Sequence, residues 1–152
     1  MDKIDIAILD SMQHDDTLSV AQVADKVNIS KTACWRRIQK LMSSKVINSR
    51  VALLTPAAVN LPLTVFISVR TNKHNDEWVQ QFREVIGQLP QILEVYRMSG
   101  DLDYLLKAVV TDMPDYDNLY RQLIKADIFD VSSSFVMEEL KYQTQLPLDH
   151  IL

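Results

Sequence analysis

Seven basic residues, Lys26, Lys31, Arg36, Arg37, Lys40, Lys45 and Arg50, follow one another in a window that holds no carboxylate between Asp25 and Asp76. Ammonium and guanidinium groups gathered without acids suit a polyanion: a lysine meets a phosphate as a point charge, and an arginine can fork onto a phosphate or a guanine edge. The chain as a whole is acidic, with 16 Lys and Arg against 20 Asp and Glu. Its first 54 residues nevertheless hold eight basic against six acidic residues, a formal +2, whereas residues 55–152 hold eight against fourteen, a formal −6. This asymmetry points to a polyanion, with nucleic acid such as double-stranded DNA the first partner to test, against the competing reading of a solvated basic face with no ligand.

Other chemistries have less to stand on. Cys34 is the only cysteine, so no intrachain disulfide can form, and a reducing cytoplasmic setting fits. His14, His74 and His150 are scattered and have no second cysteine near them, so neither metal nor cofactor is expected. Gly87 and Gly100 are the only glycines, which removes the Gly-rich phosphate loops of most nucleotide enzymes. No apolar run approaches the ~20 residues of a membrane span. The opening MDKIDIAILD interleaves acids with apolar residues and does not read as a signal peptide.

The basic residues need a scaffold, and three helical patterns supply one. Residues 2–14 place Ile4, Ile8 and Met12 on one stripe with Leu9 beside it. Ser19 is a good N-cap for a second helix carrying Val20, Val23, Ala24 and Val27, and Asn28 tolerates the left-handed turn that closes it. Ser30 caps a third helix in which Cys34, Ile38 and Leu41 recur at i, i+4 and i+7. Two helices separated by Asn28–Ser30 have the spacing of a helix-turn-helix. On a wheel of about 100° per residue, Thr32, Arg36, Gln39 and Lys40 lie opposite the buried stripe, while Trp35 and Arg37 flank its edges. Lys31 and Thr32 sit where the helix has free N–H groups. For Arg37 a phosphate and an intradomain partner both remain open, and for Trp35 packing under the first helix competes with backbone contact. Residues 46–54 read as a short strand or small hairpin, the wing of a winged helix-turn-helix.

Thr55–Pro62, bracketed by prolines, reads as a hinge linker between domains 1–54 and 63–152. Beyond it the period changes. Strands are expected at 63–70, 92–99, 102–111 and 131–140, with helices over 77–89 and after Pro114. The order βαββαβ is ferredoxin-like and gives an α+β fold. Leu63, Val65, Ile67 and Val69 fall on one sheet face and Phe66 on the other; Leu105 and Val109 likewise oppose Tyr104, Leu106, Ala108 and Val110. Helices cover only one face, so the other is expected to meet a second copy of the chain.

Three segments carry a family resemblance. SKTACWRRIQKL at Ser30–Leu41, SGDLDYLL at Ser99–Leu106 and SSFVMEELKYQTQLPL at Ser133–Leu148 resemble, in order and spacing, the recognition helix, effector-domain turn and terminal strand of the Lrp/AsnC family. The resemblance spans nearly the whole chain and implies a DNA-binding transcriptional regulator that responds to a small effector, an amino acid. It also implies homodimers joining into octamers, with ligands between dimers. It places Ser30, Lys31, Thr32, Trp35, Arg36, Arg37, Gln39 and Lys40 at the DNA. Lys45 departs from the glycine usual before the Val-Ile pair, and Leu102 from the aromatic usual in the turn.

An amino acid presents an ammonium and a carboxylate, which need acceptors and donors close together. Gly100, Asp101, Asp103 and Tyr104 at the turn and Ser132, Ser133 and Ser134 on the last strand are the candidate effector-binding residues. Turn formation is the plainer reading of Gly100 and Asp101, whereas for Asp103 turn formation and effector binding both stay open. Cys34 is expected in the core and His74 in solvent. Two rivals remain. A tetrapyrrole decarboxylase of the same superfamily would need clustered His and Arg in the second domain, and an assembly module without DNA binding would not need the first 54 residues.

Overall fold

The computed structural model describes residues 1–151, and these fall into two compact units. One comprises Met1–Ala52 together with the tail from Leu140, and the other is Leu53–Glu139. The tail, which closes the segment 63–152 in sequence, is thus grouped with the first unit.

In the first unit, α1 (Lys3–His14) starts at a reciprocal capping box. The Asp5 N–H donates to Asp2 Oδ1 at 2.9 Å and the Asp2 N–H to Asp5 Oδ2 at 3.1 Å. Ser19 and Gln22 repeat this device for α2 (Val20–Lys26). Asn28 takes the left-handed conformation, φ 55°, and Ser30 caps α3 (Lys31–Ser43) by accepting from the Ala33 N–H at 3.2 Å. Ile8, Met12, Val23, Ala24, Cys34, Ile38 and Leu41 meet in one apolar core. Burial pushes the Cys34 thiol up, consistent with a packing role.

The strand or hairpin expected over 46–54 does not form. The Val46 and Ile47 N–H groups both donate to the Leu41 carbonyl, at 3.0 and 3.1 Å, and so are spent on closing α3. Val51, Leu53 and Leu54 stay exposed with no strand beside them to pair with. The α3 exit places Lys45 at φ 60°, so the left-handed turn that suits glycine is kept with a side chain in it. Pro56–Val59 form one 3-10 turn, ended by Asn60 at φ 60°.

The second unit has the expected βαββαβ order: β1 (Leu63–Arg70), α4 (Asp76–Gly87), β2 (Ile92–Arg97), β3 (Tyr104–Val110), α5 (Met113–Leu123) and β4 (Asp130–Phe135). The sheet runs β2-β3-β1-β4 with every neighbouring pair antiparallel. Asn75 and Asp112 cap α4 and α5, and Pro114 occupies the first turn of α5, where its missing N–H costs nothing. Several boundaries fall short of expectation, among them β2, which ends at Arg97 instead of Ser99, and β3, which spans Tyr104–Val110 instead of 102–111. Helix α4 stops before Leu89, because a residue preceding proline disfavours helical angles, and β4 ends at Phe135 instead of Leu140.

Alternation along the strands separates the faces. Val65, Ile67, Val69, Leu106, Ala108 and Val110 pack beneath Trp78, Phe82, Leu119 and Leu123. The opposite face carries Phe66, 37% exposed, with half-buried Leu105 and Lys107 and the exposed serines of β4. Tyr96 donates to Glu94 there at 2.6 Å, which holds the Glu94 carboxyl below its ordinary range, and Lys107 lies 3.4 Å from the same carboxylate. No described helix is long and apolar enough to cross a membrane.

Candidate functional site

The core stripe Cys34–Ile38–Leu41 fixes the rotation of α3, and rotation decides which side chains reach outward. Lys31, Thr32, Trp35, Arg36, Gln39 and Lys40 are all exposed. Trp35 is 52% exposed, so its ring is available at the surface and is not packed beneath α1. Ser30 is occupied as the helix cap, which leaves the following backbone N–H groups oriented at the same end.

Arg37 has a different fate. Its Nη1 donates to Asp2 Oδ1 and Oδ2 at 2.9 and 2.8 Å and to Asp5 Oδ1 at 2.7 Å. These bonds hold the guanidinium above its already high ordinary value, while Asp2 is drawn down, first by the Asp5 backbone N–H and then by Arg37. The intradomain partner is therefore the one it takes, and the carboxylates of the α1 capping box serve two purposes at once. Arg50 is also neutralised, with its Nε 2.8 Å from Asp16 Oδ1. Among the described residues no ion pair engages Lys31, Arg36 or Lys40. The result is a helix face with three uncommitted cations, two short polar groups and one aromatic ring. Such a face can neutralise phosphates, fork onto base edges and stack or pack against sugar.

The second candidate set does not converge on one point. Gly100 takes φ 99° in the β2–β3 turn, a conformation suited to glycine. The Asp101 carbonyl accepts from Arg70 Nε at 2.8 Å, and its side chain is exposed. Asp103 ties the strand ends together: its N–H donates to the Val69 carbonyl at 3.0 Å, and its Oδ2 accepts from the Thr71 N–H at 2.8 Å. Tyr104 packs inward, with ring centroids 5.7 Å from Trp78 and 5.0 Å from Phe82, so it belongs to the core wall. Ser133 faces the helices, where its Oγ accepts from the Tyr116 hydroxyl at 2.6 Å. Ser132 and Ser134 point to the opposite sheet face, paired in register with Ser68 and Phe66. The strand period of two separates three consecutive serines between two surfaces.

Several partners in these arrangements lay outside the sequence reading. Asp2, Asp5 and Asp16 neutralise arginines distant in the chain, and the Asp-x-x-Asp cap spacing is the one local signal that could have pointed to the first two. Thr71, buried at 7% exposure, anchors the Asp103 carboxylate. Among the described residues no three His, Cys, Asp or Glu side chains are placed to hold a metal ion.

Known proteins match this arrangement along its length. Residues 1–42 match the AsnC-type helix-turn-helix domain, and residues 64–146 match the Lrp/AsnC ligand binding domain. The glutamate uptake regulatory protein of Zymomonas mobilis is 44% identical over 149 residues, covering 97% of this chain and 91% of that protein. A crystal structure of an AsnC family transcriptional regulator from Agrobacterium tumefaciens superposes with a TM-score of 0.93 at 52% identity, covering all of both chains. A Neisseria meningitidis transcriptional regulator in complex with L-Met gives 0.93 at 32% identity, over 100% of this chain and 99% of that one.

Proposed function

The chain belongs to the Lrp/AsnC family of transcriptional regulators, and on that premise we propose that α3 reads its operator through Lys31, Thr32, Trp35, Arg36, Gln39 and Lys40. The observation that carries this reading is the contrast between adjacent arginines. Arg37 is consumed by Asp2 and Asp5, while Arg36, Lys31 and Lys40 project from the same helix without an acidic partner. Two copies of the chain present two such helices to successive major grooves, roughly 34 Å apart. Arg36→Ala weakens operator binding by about 1–3 kcal/mol and erases discrimination at one base position, if Arg36 forks onto guanine. A gel shift on operator and scrambled duplexes checks this; equal affinities for wild type and variant on both would remove Arg36 from the interface.

The second unit senses a small molecule, and an amino acid is the class we favour. The ligand-binding-domain match and the L-Met complex of the Neisseria relative support that choice. Dimers assemble further, to an octamer by family resemblance, so that turn residues Gly100–Asp103 of one copy and the outward serines Ser132 and Ser134 of another share a pocket. The Thr55–Pro62 segment acts as the hinge between the units. A ligand that prefers one assembly shifts the population of that assembly, and assembly strengthens ligand binding by the same factor. Asp103→Asn separates the two jobs of this residue, since the amide oxygen still accepts from Thr71 while the charge is gone. A thermal-shift screen against the twenty amino acids identifies a stabilising ligand, and the Asn variant loses that stabilisation with its unliganded midpoint preserved. A full ligand shift in the variant returns Asp103 to a turn-forming role alone.

A further inference from the structure

Helix α1 buries apolar residues on two sides. Ile4, Ile8 and Met12 enter the helical core, whereas Ile6 lies about 160° around the helix from Ile8. Ile6 is nevertheless 7% exposed, and it takes no part in that core. The end of the chain covers it. Gln13 Nε2 donates to the Leu146 carbonyl at 2.9 Å, and Gln13 Oε1 accepts from the Leu146 N–H at 2.9 Å. One side-chain amide thus pairs with both backbone groups of one residue, as a neighbouring strand would. Ile6 and Asp10 face Leu146, Pro147 and Leu148 across a cavity of about 580 Å³. Leu148 is half-buried, while the Leu146 side chain is 70% exposed.

The chain therefore leaves the first unit near Ala52 and returns to it at Leu140, shortly after β4 ends at Phe135. We propose that the tail from Leu140 is a releasable strap, clasped on α1 through Gln13, that gives the DNA-binding unit a second covalent tether running to β4. The clasp is built to open. Its two hydrogen bonds lie at an exposed position, where water replaces them at small net cost, and the cavity beneath leaves the covering contacts incomplete. Closed, the strap restricts the excursions of the unit that carries α3. Open, the 53–62 segment alone limits them. Any change in β4 then bears on DNA binding without touching α3.

This inference rests on α3 as the DNA contact, and the test separates the two. Full-length Gln13→Ala removes both clasp bonds, and Leu148→Ser loosens the same clasp from the tail side. Hydrogen exchange at the Leu146 amide should accelerate about tenfold or more in Gln13→Ala, because opening there no longer breaks a bond. Fluorescence anisotropy with a duplex carrying two half-sites should show about tenfold weaker binding in both variants, because looser tethering lowers the effective concentration of the second helix. A duplex with one half-site should bind with wild-type affinity. Unchanged exchange at Leu146 overturns the clasp. Equal losses on both duplexes mean the tail supports the helical fold itself, and no loss on either means it restrains nothing; each overturns the proposal. A wild-type protein that binds neither duplex overturns the DNA reading and the restraint with it, whereas exchange at Leu146 still reports whether the clasp exists.

Discussion

Replacing Lys40 with alanine isolates the electrostatic part of DNA binding. Lys40 is exposed, has no ion-pair partner among the described residues and lies outside the core, so its removal leaves the fold intact. If Lys31 and Lys40 are the cations of each α3 that meet phosphates, with Arg36 on a base edge, a dimer neutralises about four phosphates, and the slope of log K against log salt is about −4. The variant gives up two contacts per dimer, so the slope becomes shallower by about 2. With affinities that coincide near 1 M salt, this corresponds to a loss of about sixty-fold at 0.1 M. Anisotropy titrations at four or more salt concentrations on operator and on scrambled duplexes provide the assay. Both duplexes should show the same change, because a phosphate contact carries no sequence information. An unchanged slope, with circular dichroism confirming the fold, would refute the count of cations. A loss confined to the operator would refute the assignment of Lys40 to the backbone.

Arg37→Ala should lower the thermal midpoint at pH 7 without altering the salt slope, since Arg37 serves Asp2 and Asp5. Asp2 has a folded value drawn below 3.8, so its contribution is present above that pH and is lost as pH falls through the lower folded value. The midpoint gap between variant and wild type should therefore narrow below about pH 3.8; a gap independent of pH would contradict the ion pair. Lys45→Gly should raise stability by about 1 kcal/mol in denaturant titration, because φ 60° strains a side chain, while a destabilised variant would show that Lys45 contributes more than its turn. The isolated segment 63–152 should be at least dimeric by light scattering, given exposed Phe66 and Tyr96 and half-buried Leu105 on the sheet face that lacks helices; a monomer at micromolar concentration would contradict the need for cover.

Local signals in this chain were strong, and the elements they governed were legible. Ser19, Ser30 and Asn28 marked the helix ends, and the Cys34–Ile38–Leu41 stripe fixed which residues of α3 face outward. Alternation gave the sheet faces, because each strand is long enough to show a period of two. What the sequence withheld depends on distant partners. Nothing local distinguishes Arg36 from Arg37 beyond a few tens of degrees around the wheel, yet Asp2 and Asp5 claim only the second. Residues 46–54 had strand composition, but a strand also needs a neighbour, and the N–H groups of Val46 and Ile47 found Leu41 instead. The effector candidates share polarity, which does not say which surface each one meets. The strand period of two already assigned Ser133 to the helix side and Ser132 and Ser134 to the other. Ile6 was an apolar residue off the α1 stripe, an unexplained position that the tail accounts for.

The claim that α3 is the DNA-reading surface is tested most directly by lysine footprinting. The protein is acetylated briefly with and without a duplex enriched from a random library, and labelling at each lysine is read by mass spectrometry. The account predicts strong protection of Lys31 and Lys40 in the complex, with Lys73 and Lys125 of the second unit labelled as in the free protein. Unprotected Lys31 and Lys40 in a protein that demonstrably holds DNA would contradict it.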